Sequence, residues 1–249
     1  KERELADSRK RVVIQLIQDT VLTLWPVIQP HLSTVLLGAV PPIIWLFFFL
    51  MEDNIQSEPK LMVLKVFLTG ILAALAAAAV ELIVRNVILM PSGIGDYSTI
   101  TLTTFAFIEE LVKFMAVYVA VKGSKYLDEP VDCMVYMITG ALGFAAIENT
   151  LFLRQLLIQQ PSQSLLEMSI VRSIGATLLH AIAGGFIGYY WAKKRLIVGL
   201  ALAVGLHTIF NYAIFKLGYS AVYATGILVI ASFFIFYDFD IMKDEDGQQ

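Results

Sequence analysis

The sequence predicts an all-α, polytopic transmembrane helical bundle, and three observations predict it. Of the 249 residues, 58% are hydrophobic. The mean hydropathy is +0.74. The apolar residues gather into runs of near twenty, separated by short polar connections, as bilayer-crossing helices require. An ordinary soluble domain is excluded by the same features. A net charge of −3, with no basic patch interleaved with aromatics, gives nucleic-acid binding no support. The single cysteine, Cys133, leaves no intramolecular disulfide and no thiolate metal cage. No positively charged region followed by an apolar one opens the chain, so no signal peptide is expected.

Residues 1–11 are highly charged, and 12–29 are apolar but broken by Gln15, Gln18 and Asp19. That pattern predicts an amphipathic N-terminal segment, 1–30, lying at the membrane interface. About seven spans follow, at 33–51, 62–84, 101–121, 133–154, 169–191, 196–217 and 219–237. Each is long enough, at ~1.5 Å per residue, to cross a hydrocarbon core of ~30 Å. An eighth crossing is counted if residues 12–30 also traverse. The membrane domain is therefore 31–237, and 238–249 form an acidic C-terminal tail. No internal repeat is evident, so the symmetry of many transporters is not expected. Gly140 and Gly143 flank Ala141 in the fourth span, and Ala181, Gly184, Gly185 and Gly188 line the fifth. Such small residues predict close helix approach.

The third span carries Glu109, Glu110 and Lys113; Glu148 and Asn149 end the fourth; His180 sits in the fifth, and His207 with Asn211 in the sixth. An ionised group at the centre of a spanning helix costs roughly 2.5–3.5 kcal/mol on insertion scales, so these residues mark function by default. Alternate loops share a side of the membrane, which fixes relative depths. From the side of the 85–100, 155–168 and 218 connections, Glu109 lies ~12 Å deep, Glu148 ~9 Å, His180 ~16 Å, His207 ~16 Å and Asn211 ~10 Å. All fall in one half of the bilayer. Glu109 with Lys113 and His207 with Asn211 are i,i+4 pairs, and Glu110 with Lys113 is i,i+3, so each pair shares a helix face. Consecutive glutamates point about 100° apart, so one can serve as base and the other as structural partner.

Loops and helix ends on that side hold Arg85, Arg154, Arg172 and Lys216; the other side holds Lys60, Lys65, Lys122, Lys125, Lys193, Lys194, Arg195 and Lys243. The imbalance makes the cluster's side extracytoplasmic. With seven spans the basic N-terminus would lie outside too, against the rule.

Carboxylates, two imidazoles and an amide supply a water-activating base and donors for an oxyanion, the parts that acyl transfer to water needs. No Gly-x-Ser-x-Gly elbow, clustered cysteine or paired aspartates in apposed spans offers another nucleophile. The inferred reaction class is hydrolysis by an activated water. Two other classes are compatible. A zinc hydrolase could use His180, His207 and a glutamate, although no His-Glu-x-x-His is present. A proton-coupled transporter or sensor would also keep Glu and His in its spans. Glu81 and Arg85, i,i+4 at a helix end, read as an interfacial salt pair. Arg172 reads as snorkelling to headgroups, and Trp25, Trp45, Trp191 and Tyr237 as an aromatic belt.

At Glu109-Glu110-Leu111-Val112-Lys113, Gly143-Phe144-Ala145-Ala146-Ile147-Glu148-Asn149, the lone His180 and His207-Thr208-Ile209-Phe210-Asn211, the chain resembles the PrsW family of intramembrane endopeptidases. That family belongs to the group of CAAX prenyl endopeptidases and bacteriocin-processing proteins, and the resemblance covers about 60–237. It implies a metal-free, glutamate-dependent protease without cofactor, zinc being the less favoured alternative. Glu109 would be the base, and His207 with Asn211 the oxyanion hole. Glu110, Glu148 and His180 complete the implied catalytic set, with Lys113, Asn149 and Phe144 in support. The second motif has Glu148 where CAAX relatives have His, as in the PrsW branch, so either Glu148 or His180 orients the water. The implied partner is a membrane-protein substrate, such as a single-pass anti-sigma factor cut at its extracytoplasmic part in a prokaryotic cell membrane.

Overall fold

The computed structural model describes residues 31–51, 58–159, 165–216 and 221–246, together with Gln15 and Gln29. The amphipathic segment expected at 12–29 otherwise lies outside the described residues. Among those described, every regular element is helical. The helices are α1 (His31–Met51), α2 (Lys60–Val84), closed by a π-helical turn at Arg85–Leu89, and α3 (Thr99–Val121). Then come α4 (Pro130–Gln159), α5 (Leu165–Ile174), α6 (Ala176–Ala192), α7 (Leu196–Lys216) and α8 (Ala221–Asp246).

Among the described residues, five stretches are long and apolar enough to cross a membrane: His31–Met51, Lys60–Leu89, Pro130–Gln159, Leu165–Ala192 and Leu196–Phe215. The two further crossings expected differ for physical reasons. Helix α3 has the length, but Glu109, Glu110 and Lys113 interrupt its apolar character. In α8 the apolar part is the shorter Gly226–Phe239, and the helix runs on through the acidic segment to Asp246. The fifth expected span is in two pieces. Gly175 (φ −92°, ψ −91°) separates α5 from α6, and its N–H still bonds Val171 O at 3.0 Å.

Helix α4 is the hub of the bundle. Its apolar window is 89% buried, against 28% for those of α1, α2 and α7, whose outer faces carry exposed Leu, Ile, Val and Phe fit for lipid. The small residues read from the sequence account for this. A Cβ on Gly143 would stand 2.0 Å from Phe67 O of α2, and one on Gly188 of α6 would stand 2.5 Å from Cys133 O. Backbones therefore touch α4 from both sides. Three apolar clusters fill the remaining space, built around Ile138 and Leu179, Val117 and Met137, and Ala77 and Phe144. Fixed in this way, α2, α3, α6 and α7 aim their polar residues past the C-terminal half of α4.

Candidate active site

Helix α3 presents Glu110 and Lys113 inward, fully buried, and they pair at 2.7 Å. Lys113 Nζ also reaches His180 Nδ1 on α6 at 2.9 Å and sits 4.6 Å from the centre of the Phe144 ring on α4. An ammonium only donates, so His180 Nδ1 accepts, and the ring's proton is on Nε2. From there it is donated to Glu148 Oε2 on α4. The second glutamate oxygen takes Arg172 Nη2 from α5 at 2.9 Å, while Arg172 Nε holds Asn149 Oδ1 at 2.7 Å. Asn149 in turn donates to Thr177 Oγ1 at 2.9 Å. On the other flank, His207 Nδ1 of α7 donates to Glu110 Oε1 at 2.8 Å, which leaves Nε2 turned towards Glu109 Oε2 at 3.9 Å. The two imidazoles meet edge to face, centroids 5.2 Å apart. A continuous chain of polar contacts thus runs from Arg172 through Glu148, His180, Lys113, Glu110 and His207 to Glu109.

Most of this network is shut away, and one part is open. A cavity of about 580 Å³ is lined by Glu109, Glu148, His180, His207 and Asn211, with Arg85, Asp96 and Tyr97 at the end where α2 meets α3. Glu109 faces it, whereas Glu110 does not line it. At the mouth, Arg85 clamps Asp96 through two 2.7 Å hydrogen bonds. Those bonds, from a guanidinium, hold the Asp96 carboxyl below the usual aspartate range.

Every site residue expected from the sequence is gathered here: Glu109, Glu110, Lys113, Phe144, Glu148, Asn149, His180, His207 and Asn211. Two residues given other parts belong here as well. Arg172 turns inward to Glu148 and Asn149 instead of reaching only for headgroups, because the break at Gly175 redirects α5. Helix α1 holds α5 in that pose through Ser169 Oγ to Leu37 O (2.7 Å) and Trp45 Nε1 to Ser173 O (2.9 Å). Trp45 is thus bonded into the bundle. Arg85 pairs with Asp96 rather than with Glu81, and Glu81 lines a small cavity with Glu109 and Glu148. The available signal was a carboxylate set in the run Ala76 to Val84 at the same membrane depth, masked by Arg85 one helical turn away.

Glu109, His180 and His207 can each turn one ligand atom to within 4.8 Å of the others, a His2Glu set of zinc-like composition. As bonded here, both ring nitrogens of His180 are taken, by Lys113 and Glu148. A cation held by the three would take Glu109 and His207 Nε2 directly and would displace Lys113 or Glu148 from His180.

The fold and site define a helical membrane protein with a buried polar network opening on a cavity. The comparisons give the particular family. Residues 58–237 match the model of the PrsW family, described as intramembrane metalloproteases. Protease PrsW of Geobacillus kaustophilus is 28% identical over 168 residues, covering 67% of this chain and 68% of the relative. Protease PrsW of Bacillus subtilis is 27% identical over 159 residues (64% and 67%). That of Shouchella clausii is 23% identical over 201 residues (77% and 88%). No solved structure matches. The chain belongs to the PrsW family of intramembrane proteases and is an integral membrane protein.

Proposed function

We propose that this protease cuts a single-pass membrane protein of the anti-sigma-factor kind, near the extracytoplasmic face of a prokaryotic membrane, with Glu109 as the base. The observation that carries the reading is the position of Glu109. It lines the open cavity, and its Oε2 is buried, without a hydrogen-bond partner, and turned to His207 Nε2 at 3.9 Å. A water held by Glu109 gives up a proton to it as the water oxygen bonds the scissile carbonyl carbon. Protonated His207 and the Asn211 amide donate to the oxyanion that develops. As the C–N bond breaks, Glu109 passes the proton to the leaving nitrogen. Glu110 acts on His207, fixing its tautomer through Nδ1. Glu148 and Arg172 do the same for His180. The cavity's opening beside the α2–α3 connection, on the side poorer in Lys and Arg, supports an outward-facing cut.

The test is cleavage of a panel of single-pass membrane proteins by detergent-purified enzyme, comparing wild type with Glu109→Gln, Glu148→Gln and His207→Ala, with and without chelator. Chelator-resistant cleavage, lost in all three folded variants, is the expected result. Cleavage abolished by chelator and restored by zinc would replace this mechanism with a metal one at Glu109, His180 and His207, the reading their mutual approach favours. Wild type that cuts nothing while moving a small solute would replace protease with transporter.

A further inference from the structure

We propose that Trp45 of α1 is a positioning residue for the catalytic network: its indole caps the carbonyl set free at the α5–α6 break, and thereby fixes the pose of Arg172 and, through it, Glu148 and His180. Trp45 has this part only if that network is the protease site, whether its water is activated by a glutamate or by a metal. Helix α1 lies outside residues 58–237, over which the chain matches its family.

In an unbroken helix Ser173 O would accept from Thr177 N, four residues on. The turn at Gly175 ends α5 at Ile174 and starts α6 at Ala176. Two bonds bracket it, Gly175 N to Val171 O at 3.0 Å and Leu179 N to Gly175 O at 2.9 Å, and Ser173 O accepts instead from Trp45 Nε1 at 2.9 Å. In hydrocarbon no water is at hand for a carbonyl that loses its helical partner, so the indole N–H is what lets the helix stay broken there. The side chain just before is Arg172, whose Nε and Nη2 hold Asn149 Oδ1 and Glu148 Oε1 while its guanidinium lies 4.4 Å from the centre of the Phe152 ring. Without the indole donor, Ser173 O recovers a partner by closing the turn onto Thr177 N. That movement pulls Arg172 away from the carboxylate to which His180 Nε2 donates. Trp45 is itself held in place. Its ring centroid is 6.0 Å from that of Phe49, which stacks on Phe239 of α8 at 6.5 Å. One turn earlier in α5, Ser169 Oγ bonds Leu37 O at 2.7 Å, and a Cβ on Gly38 would stand 2.3 Å from Thr150 Oγ1, so α1 lies flush on α4 beside Asn149. A tryptophan near the end of a membrane helix ordinarily faces the headgroups. This one donates to a backbone carbonyl of its own chain.

The experiment uses full-length enzyme and whichever single-pass protein of the panel wild type cuts fastest, with Trp45→Phe, Arg172→Gln and the double variant. Phe keeps an aromatic ring against Phe49 and loses the donor. Trp45→Phe is expected to lower kcat about three- to tenfold at unchanged KM, as the loss of one hydrogen bond does to an aimed group. Arg172→Gln already releases what Trp45 holds, so the double variant is expected to match Arg172→Gln alone. A ring that merely packs would instead lower kcat by the same factor in both backgrounds. Ser169→Ala, which cuts the other tie from α1 to α5, is expected to behave like Trp45→Phe and decides the matter if the latter does not fold. Wild-type kcat in folded Trp45→Phe, a rise in KM with kcat unchanged, or losses that multiply in the double variant would each overturn the proposal. If wild type cuts nothing, the protease reading fails first and takes this assignment with it, which is a distinct outcome.

Discussion

Adjacent glutamates on α3 should respond in opposite ways to the same substitution. Glu110 is fully buried and bonded to Lys113 and His207. Glu110→Gln leaves the Lys113 ammonium short of its counter-charge, and breaking a buried pair costs about 3–5 kcal/mol, so thermal unfolding in detergent should shift sharply downward. Glu109→Gln removes a group with an unpartnered oxygen on a cavity wall, and should lose about 10²–10⁴ in rate with little change in melting. Equal melting losses would refute this division of labour. Arg172→Gln releases Glu148 and Asn149 together; hydrogen bonds to charged groups are worth about 1.5–3 kcal/mol, so a rate loss of about tenfold is expected. For Asp96 the sign follows from a carboxyl lowered by its bonds to Arg85. The clamp contributes above the ordinary aspartate range and is lost as pH falls through the lowered value. Any melting difference between wild type and Asp96→Asn should be small, sensitive to salt, and gone in acid.

Among the elements, α4 and α5 show what apolar patterning conveys and what it leaves out. The glycines of α4 and α6 were legible as contact points because small residues at regular spacing have one main use in lipid. Gly143→Ala forces a Cβ to 2.0 Å from Phe67 O, so α2 must move, and Glu81 with it; about 1–3 kcal/mol of stability should be lost, along with activity. Gly205→Ala, where nothing lies within 4 Å, is the matched control and should melt like wild type. The break at Gly175 was not legible. Residues Leu165–Ala192 are apolar enough on average to read as one crossing, and a backbone change at one glycine leaves no trace in hydropathy. The inward turn of Arg172 follows from that break, so it was missed for the same reason. Glu81 was missed differently, since two rules competed for it: a carboxylate in an apolar helix suggests a site, and an arginine four residues on suggests a pair.

Across the whole molecule, residues from α2 to α7 converge near one end of the bundle, and the cavity is approached from the α2–α3 connection. Orientation can be read without substrate. Cys133 is buried, so the native thiol should stay silent to a membrane-impermeant maleimide in intact cells. A cysteine at Asp96 should be labelled from outside, and one at Lys193, at the far end of α6, only after permeabilisation. The reverse pattern would place the cavity on the cytoplasmic side. That these polar residues meet at one level of the bundle was legible because helix length and loop alternation are simple counts. Partner identity within it was not, since which imidazole nitrogen meets which carboxylate depends on helix rotation.

The long reach of that network sets when the enzyme can first act. A nascent chain that has threaded only α2 and α3 into the bilayer carries Lys113 without His180 and Glu110 without His207, and these partners are made 67 and 97 residues later. Until α7 has left the ribosome and entered the membrane, the chain lacks His207 and Asn211, the oxyanion donors of the proposed mechanism, and harbours charged groups with incomplete company. Biogenesis itself therefore serves the purpose that a propeptide serves elsewhere. A product stalled before residue 196 should be inert and rapidly degraded, which pulse-chase of such truncations would reveal.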